Sequence, residues 1–355
     1  MIKRRKTRTI TVGNIKIGSD YPISIQSMTK TDTMDIKATV KQIHSLEKIG
    51  CDLIRIAIKN IQSAKNISYI KEKINIPLIA DIHFDYRLAL EAIKNGVDKI
   101  RINPGNIKKE KEINQIIDCA SKKNIPIRIG INSGSLIIEK SKKNILQEDI
   151  IVKKMMKYLK IFQKKDFHNL IIALKSSDIN TTFKSYKKMA QECDYPFHLG
   201  ITSSGLPEQG IIKSSIGIGS LLLDGIGDTI RVSLTADSKQ EIKVAKDILE
   251  SLDLKQKKCN IIACPTCGRC QVNLVKIVKD FEKKIKKIKT KNITVAIMGC
   301  EVNGPGEAKK ADIGIAFGKN KGAIFKKEKI IKIVSIEKAI DELIDICKDR
   351  NKTTS

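Results

Sequence analysis

The sequence predicts an α/β protein: a (β/α)8 barrel of the TIM type over residues 1–256, then a smaller α+β unit over 257–355. Three observations carry that reading. Short Ile-rich runs recur about every 25 to 30 residues, each followed by a polar turn and a segment of helical periodicity. There are eight of them, the strand count of such a barrel. A polar, Lys-rich junction from Leu254 to Lys258 then separates them from a segment that opens on three closely spaced cysteines.

In chain order the eight runs are ISIQSM, DLIRIAI, PLIADIH, KIRINP, PIRIGIN, LIIALKSS, FHLGITSS and TIRVSL. A doubly wound open sheet is the alternative, but it usually carries a Gly-rich phosphate turn after its first strand, and SIQSMTKTDTMD has none. The later GIGSLLLDGIGD precedes a strand instead of following one, so its glycines read as helix and turn residues. The segment SKQEIKVAKDILESLD is the helix that closes the barrel. Beyond the junction come a strand CNIIA, an amphipathic helix QVNLVKIVKDFEKKIKKI, a strand ITVAIMG, a loop CEVNGPGEAKKAD, a strand IGIAFG and a C-terminal helix.

The composition, 41% hydrophobic over 355 residues, supports a sizeable core. The basic start MIKRRKTRTI is followed by TVGNIKIGSD, which alternates and turns instead of forming the apolar core of a signal peptide. No run approaches the roughly 18 apolar residues of a membrane span. A cytoplasmic protein with no membrane partner is the expectation.

The net charge of +28 raises the question of a polyanionic partner. The excess is mostly Lys, spread along the chain in pieces such as FEKKIKKIKTK that read as solvated helix faces. Aromatic residues, 4% of the chain, are too scarce for a base-stacking surface. Nucleic acid is therefore not the expected partner.

In a barrel the ends of successive strands share one mouth. Those ends carry Arg55; Asp81 and His83; Arg101 and Asn103; Arg128 and Asn132; Lys175 and Ser176; Thr202, Ser203 and Ser204; Arg231 and Ser233. Four arginines and a lysine on one rim suit a small substrate with more than one phosphate, because the guanidinium fork matches phosphate oxygens. The plain alternative is that these cations pair with Asp81 and other carboxylates. His83, beside Asp81, is a candidate general acid or substrate donor, or a satisfied structural histidine.

Of the nine cysteines, Cys51, Cys119, Cys193, Cys259 and Cys347 stand singly in apolar or helical surroundings and read as inert thiols. The stretch ACPTCGRC places Cys264, Cys267 and Cys270 on one tight loop. Zinc and an iron–sulfur cluster compete for such a loop. A zinc ribbon wants a second Cys or Cys/His pair, and only Cys300 follows, heading the loop GCEVNGPGE. Two ligand sets remain open: the four thiolates, or Cys264, Cys267 and Cys300 with Glu307 as a weaker, exchangeable oxygen ligand. Radical chemistry on S-adenosylmethionine would usually want C-x3-C-x2-C near the first barrel strand, and both spacing and position differ.

Taken together, CPTCGR, GCEVNGPGEA, ADIHFDYRLAL, RINPGNI, PIRIGIN, HLGIT and GIGDTIRVSL resemble the bacterial 4-hydroxy-3-methylbut-2-enyl diphosphate synthases of the methylerythritol phosphate route to isoprenoids. The likeness runs from about Thr7 to about Gly318, in order. It implies an N-terminal barrel, a cluster-bearing C-terminal unit, and a [4Fe-4S] cluster on Cys264, Cys267, Cys300 and Glu307, with Cys270 a spare thiol. It also implies a homodimer, a flavodoxin or ferredoxin donor, and reductive ring opening and dehydration of 2-C-methyl-D-erythritol 2,4-cyclodiphosphate. Arg55, Arg101, Arg128, Lys175 and Arg231 would hold the diphosphate, with Asn103, Asn132, Ser203 and Ser204 adding hydrogen bonds. Asp81, His83 and Glu307 are the catalytic candidates. One departure stands out: the family reads HLGITEAG where this chain has HLGITSSG, so Ser203 replaces a glutamate, and Glu208 and His83 are the candidate substitutes.

Overall fold

The computed structural model describes residues 2–132, 146–257, 259–288, 292–301, 311–326 and 329–349. The chain forms two compact units, Met1–Lys255 and Gln256–Ser355.

The first unit opens with a hairpin, β1 (Ile10–Val12) and β2 (Ile15–Ile17). Gly13 takes a φ of +57° in its two-residue turn, and a Cβ there would sit 3.0 Å from Pro77 Cγ. Glycine therefore serves both the positive φ and the close approach to the barrel. Ile10, Val12 and Ile17 pack with Leu53, Ile79 and Ile171, which come from early positions of three barrel strands. The hairpin thus plugs the end of the barrel away from the strand C-termini.

Eight strands follow: β3 (Ser24–Met28), β4 (Leu53–Ile58), β5 (Leu78–Ile82), β6 (Lys99–Ile102), β7 (Ile127–Asn132), β8 (Leu170–Lys175), β9 (His198–Leu199) and β10 (Thr229–Ile230). All pair in parallel, in the order β8-β7-β6-β5-β4-β3-β10-β9. The ring closes through a parallel bridge from Ile172 to Phe197 and through Thr202 N–H donating to Ser176 O at 3.1 Å. Each of the eight runs expected as a strand is one, so the (β/α)8 barrel stands.

Helices α1 (Ile36–Glu47), α2 (Ile61–Lys71), α3 (Tyr86–Lys94), α4 (Glu110–Lys122), α5 (Gln147–Gln163), α6 (Ile179–Glu192), α7 (Pro207–Leu223) and α8 (Ser238–Ser251) surround it. Side chains of Asp35, Asn60, Asp85, Asp178 and Asp237 accept from first-turn N–H groups, satisfying donors the helix cannot. Isoleucines such as Ile54, Ile56, Ile100, Ile102, Ile127 and Ile129 fill the layer between strands and helices. Because strand side chains alternate, residues such as Arg55, Arg101 and Arg128 are sent to the interior.

The second unit is a five-stranded sheet in the order β11-β12-β13-β14-β15. Its strands are β11 (Cys259–Ala263), β12 (Ile293–Met298), β13 (Ile313–Phe317), β14 (Lys321–Lys326) and β15 (Lys329–Ser335). The first three are parallel, and β14 and β15 return antiparallel. Helices α9 (Leu274–Ile285) and α10 (Ala339–Asp349) join the core through Phe281, Ile285, Leu343 and Ile344. Sequence reasoning missed β14 and β15. Their lysines hide the apolar alternation, and β15 is an edge strand of the kind that tolerates Lys along its length. Among the described residues no helix is long and apolar enough to cross a membrane.

Candidate active site

Eleven of the residues expected at the mouth line one cavity of about 280 Å³: Arg55, Asp81, His83, Arg101, Arg128, Asn132, Lys175, Thr202, Ser203, Arg231 and Ser233. Gly130, Ala173 and Ile201 complete its described wall. Three expected residues, Asn103, Ser176 and Ser204, are not in that wall. Asn103 is buried and uses its side-chain oxygen to accept from Gly105 N–H at 3.0 Å, shaping the loop after β6. Ser204 is buried with its hydroxyl 3.5 Å from Ile201 O. Glu208 is exposed in the first turn of α7 and does not line the cavity.

Asp81 is the one carboxylate among the described lining residues, against five cations. Burial by itself would raise its pKa, but Arg55, the His83 hydrogen bond and Arg101 together hold it well below the usual carboxylate range. Arg101 Nη1 donates to Asp81 Oδ1 at 3.2 Å and to His83 Nε2 at 2.9 Å. Arg55 lies 3.8 Å from Asp81 Oδ2, and its Nε and Nη2 donate to Met28 Sδ at 3.2 and 3.1 Å. The ion-pair alternative therefore accounts for Arg55 and Arg101.

It does not account for the rest. Arg128 is 2% exposed, and its Nε and Nη1 have no hydrogen-bond partner among the described residues. Arg231 Nε is likewise buried and unpartnered. Burial, and then the neighbouring arginines, lower the pKa of Arg128 and Lys175 well below their ordinary values. Arg231 is brought down to about 10 by burial and then by Arg55. A Cβ at Gly200 would fall 2.5 Å from Lys175 Nζ, so only glycine lets that ammonium reach its place. Buried donors that meet no acceptor, in a cavity with excess positive charge, make a preformed seat for a polyanion.

Several contributors were absent from the sequence reading: Met28 against Arg55, Asn106, whose side chain lies 2.6 Å from His83 Nδ1, and the buried Lys99. The period-two alternation in KIRINP was the available signal for Lys99, two positions before Arg101.

In the second unit, β11 and β12 are adjacent and parallel, with Ala263 opposite Ile297. Cys264 and Cys300 therefore leave neighbouring strand ends. Gly299 N–H donates to Cys264 Sγ at 3.3 Å, and Cys270 N–H donates to Cys267 O at 2.9 Å, closing the C-x2-C turn. Cys270 Sγ lies 3.2 Å from Val272 O, and a Cβ at Gly299 would lie 2.5 Å from it. Cys267 is the one exposed cysteine of the nine. Burial pushes Cys51 and Cys259 up to about 12, as suits inert thiols. Glu307 lies outside the described residues. Among those described, no three His, Cys, Asp or Glu side chains gather as a metal set. The donor chemistry nevertheless fits an iron–sulfur cluster: soft thiols from a C-x2-C turn and a neighbouring strand end, with a backbone N–H on one sulfur.

The chain matches two family models, the GcpE TIM-barrel domain over residues 7–246 and the GcpE protein C-terminal domain over residues 260–349. It is 52% identical over 346 residues to a protein of Clostridium perfringens named 4-hydroxy-3-methylbut-2-en-1-yl diphosphate synthase (flavodoxin), covering 97% of this chain and 99% of that one. Proteins of the same name from Fusobacterium nucleatum and Caldicellulosiruptor saccharolyticus are 52% and 54% identical, covering 96% and 95% of this chain and 96% and 97% of theirs. Among solved structures, dihydropteroate synthases from Yersinia pestis and Coxiella burnetii each align with a TM-score of 0.50, at 10% and 14% identity, over 69% and 70% of this chain and 98% and 99% of theirs. At that identity the likeness concerns the barrel alone.

Proposed function

The chain belongs to the GcpE family, and we propose from that membership and from the barrel mouth how its residues carry out the family's reaction. It is a 4-hydroxy-3-methylbut-2-enyl diphosphate synthase, a flavodoxin-dependent oxidoreductase of isoprenoid biosynthesis. It opens the ring of 2-C-methyl-D-erythritol 2,4-cyclodiphosphate, with two electrons and a proton entering and water leaving.

The observation that carries the substrate assignment is the set of buried, unpartnered donors on Arg128 and Arg231 in a cavity with a single described carboxylate. Arg55, Arg101, Arg128, Lys175 and Arg231 hold the diphosphate, and Asn132, Thr202, Ser203 and Ser233 add hydrogen bonds from the same wall. Asn103 and Ser204 act from behind it, holding their loops. Asp81 fixes Arg55, Arg101 and His83 in place. His83 is a described lining group chemically able to hold and pass a proton, and its Nε2 faces Arg101 of the cationic wall.

The family works with an iron–sulfur cluster. Here a [4Fe-4S] cluster would be held by Cys264, Cys267, Cys300 and Glu307, and would supply the electrons one at a time. The resemblance to the family is what supports a homodimer in which one subunit's cluster unit serves its partner's barrel. Ferredoxin is an alternative to flavodoxin as donor.

The test is anaerobic purification with an iron and zinc assay, a visible spectrum, and conversion of the cyclodiphosphate. Iron, broad visible absorption and turnover are expected. Cys264→Ser abolishes the absorption and Cys270→Ser keeps it. Stoichiometric zinc without colour overturns the redox mechanism, and loss of colour in Cys270→Ser alone overturns the ligand set.

A further inference from the structure

Below the mouth a barrel of this kind is ordinarily filled by branched apolar side chains. Here the layer beneath the cavity is polar. Lys99 lies two residues before Arg101 on β6, and Gln26 two before Met28 on β3, which touches Arg55, so alternation turns both inward. His198 on β9 stands four residues before Thr202 of the cavity wall. Lys99 and His198 are fully buried and Gln26 is 2% exposed. Lys99 Nζ, His198 Nε2 and both polar side-chain atoms of Gln26 have no hydrogen-bond partner among the described residues.

Lys99 is the unusual member. An ammonium taken out of water needs a carboxylate, and the groups around this one are cations: Arg128 from β7 first, then Arg55 from β4. Arg101 follows two residues later on its own strand, Lys175 ends β8, and Arg231 directly follows β10. Asp81 on β5 is engaged by Arg101 and Arg55. His198 is itself held well below its ordinary pKa, by burial and then by Lys175, Arg128 and Lys99.

We propose that Lys99 is a positioning residue of the anion site, uncharged while the cavity is empty and protonated when a diphosphate settles on Arg128, so that anion binding takes up a proton. Burial without a counter-charge disfavours the ammonium, and its pKa is accordingly lowered well below 10.5, by burial and then Arg128 and Arg55. A polyanion on the far side of Arg128 supplies the missing negative potential and raises that pKa again. By linkage, affinity for the anion then falls as pH rises from the empty-state pKa toward the bound-state one.

This inference rests on the diphosphate reading of the cavity. It is tested by calorimetric titration of inorganic pyrophosphate into the full-length, cluster-loaded protein, in buffers of different ionisation enthalpy, comparing wild type with Lys99→Met and Lys99→Arg. Protons carried by pyrophosphate and by Lys175 are common to all three and cancel in the differences. Both variants should take up fewer protons per pyrophosphate, by up to one. Lys99→Met should also lose about tenfold in affinity, one pKa unit's worth of coupling, while Lys99→Arg, with its permanent charge, binds with a flatter pH dependence. Either variant alone decides the point if the other does not fold. Equal proton uptake in wild type and variant overturns the role of Lys99 and leaves the diphosphate reading standing. Failure of wild type to bind pyrophosphate overturns both.

Discussion

Asp81 is the residue on which the charge arrangement of the mouth turns. Its folded pKa is depressed, so its stabilising pairing is complete above its unfolded value of about 4 and is lost only as pH falls through the lower folded value. Replacing it with Asn leaves Arg101 and Arg55 without their counter-charge, at a cost of about 3 kcal/mol in denaturant unfolding, and removes that part of the acid dependence. Ser203 offers a second test. It lines the cavity at a φ of +55°, at the position where the resemblance to the synthases implies a glutamate. Ser203→Glu should raise kcat by supplying a proton-holding carboxyl and raise KM by placing like charge beside the diphosphate. Steady-state kinetics separate the two effects, and an unchanged kcat would mean that proton delivery in this chain does not pass through position 203.

At the scale of elements, the cysteine centre depends on how β11 and β12 end. Parallel pairing carries Cys264 and Cys300 to neighbouring strand ends, and Gly299 lets the Cys270 side chain close in against β12. Gly299→Ala puts a methyl 2.5 Å from Cys270 Sγ. The overpacking should cost about 1–3 kcal/mol and speed cluster loss on exposure to air, followed by the decay of visible absorption. The double variant with Cys270→Ala should recover most of the loss, since the clash is with that sulfur.

For the whole molecule, charge and division of labour make separate predictions. A chain of net charge +28 attracts an acidic flavodoxin over long range. The bimolecular rate of cluster reduction by flavodoxin should fall steeply as ionic strength rises, while reduction by a small neutral reductant should not. If one subunit's cluster unit serves its partner's barrel, mixing inactive Arg128→Met and Cys264→Ser proteins under conditions of subunit exchange should restore about a quarter of wild-type activity, since half the dimers are mixed and each has one intact site. No recovery in verified mixed dimers would place barrel and cluster of the same chain in one site.

The sequence alone was enough for the barrel, because eight Ile-rich runs with helical spacers leave few other ways to bury that much apolar surface. It was also enough for the five mouth cations and the cysteine loop, which sit at recurring strand-end positions. The tertiary structure decided which of those cations are paired. Asp81 serves Arg101 and Arg55, whereas Arg128 and Arg231 retain unpartnered N–H groups, and pairing depends on angles and distances that strand periodicity does not carry. It also set Asn103 and Ser204 behind the cavity wall, because the loops fold those side chains onto their own backbone. The strands β14 and β15 were hidden for a related reason: an edge strand has only one neighbour to bury its side chains, so its lysines dilute the pattern that marks the interior strands. Lys99 was written in the alternation of KIRINP, but only the closed ring of eight strands leaves it without water or a counter-charge.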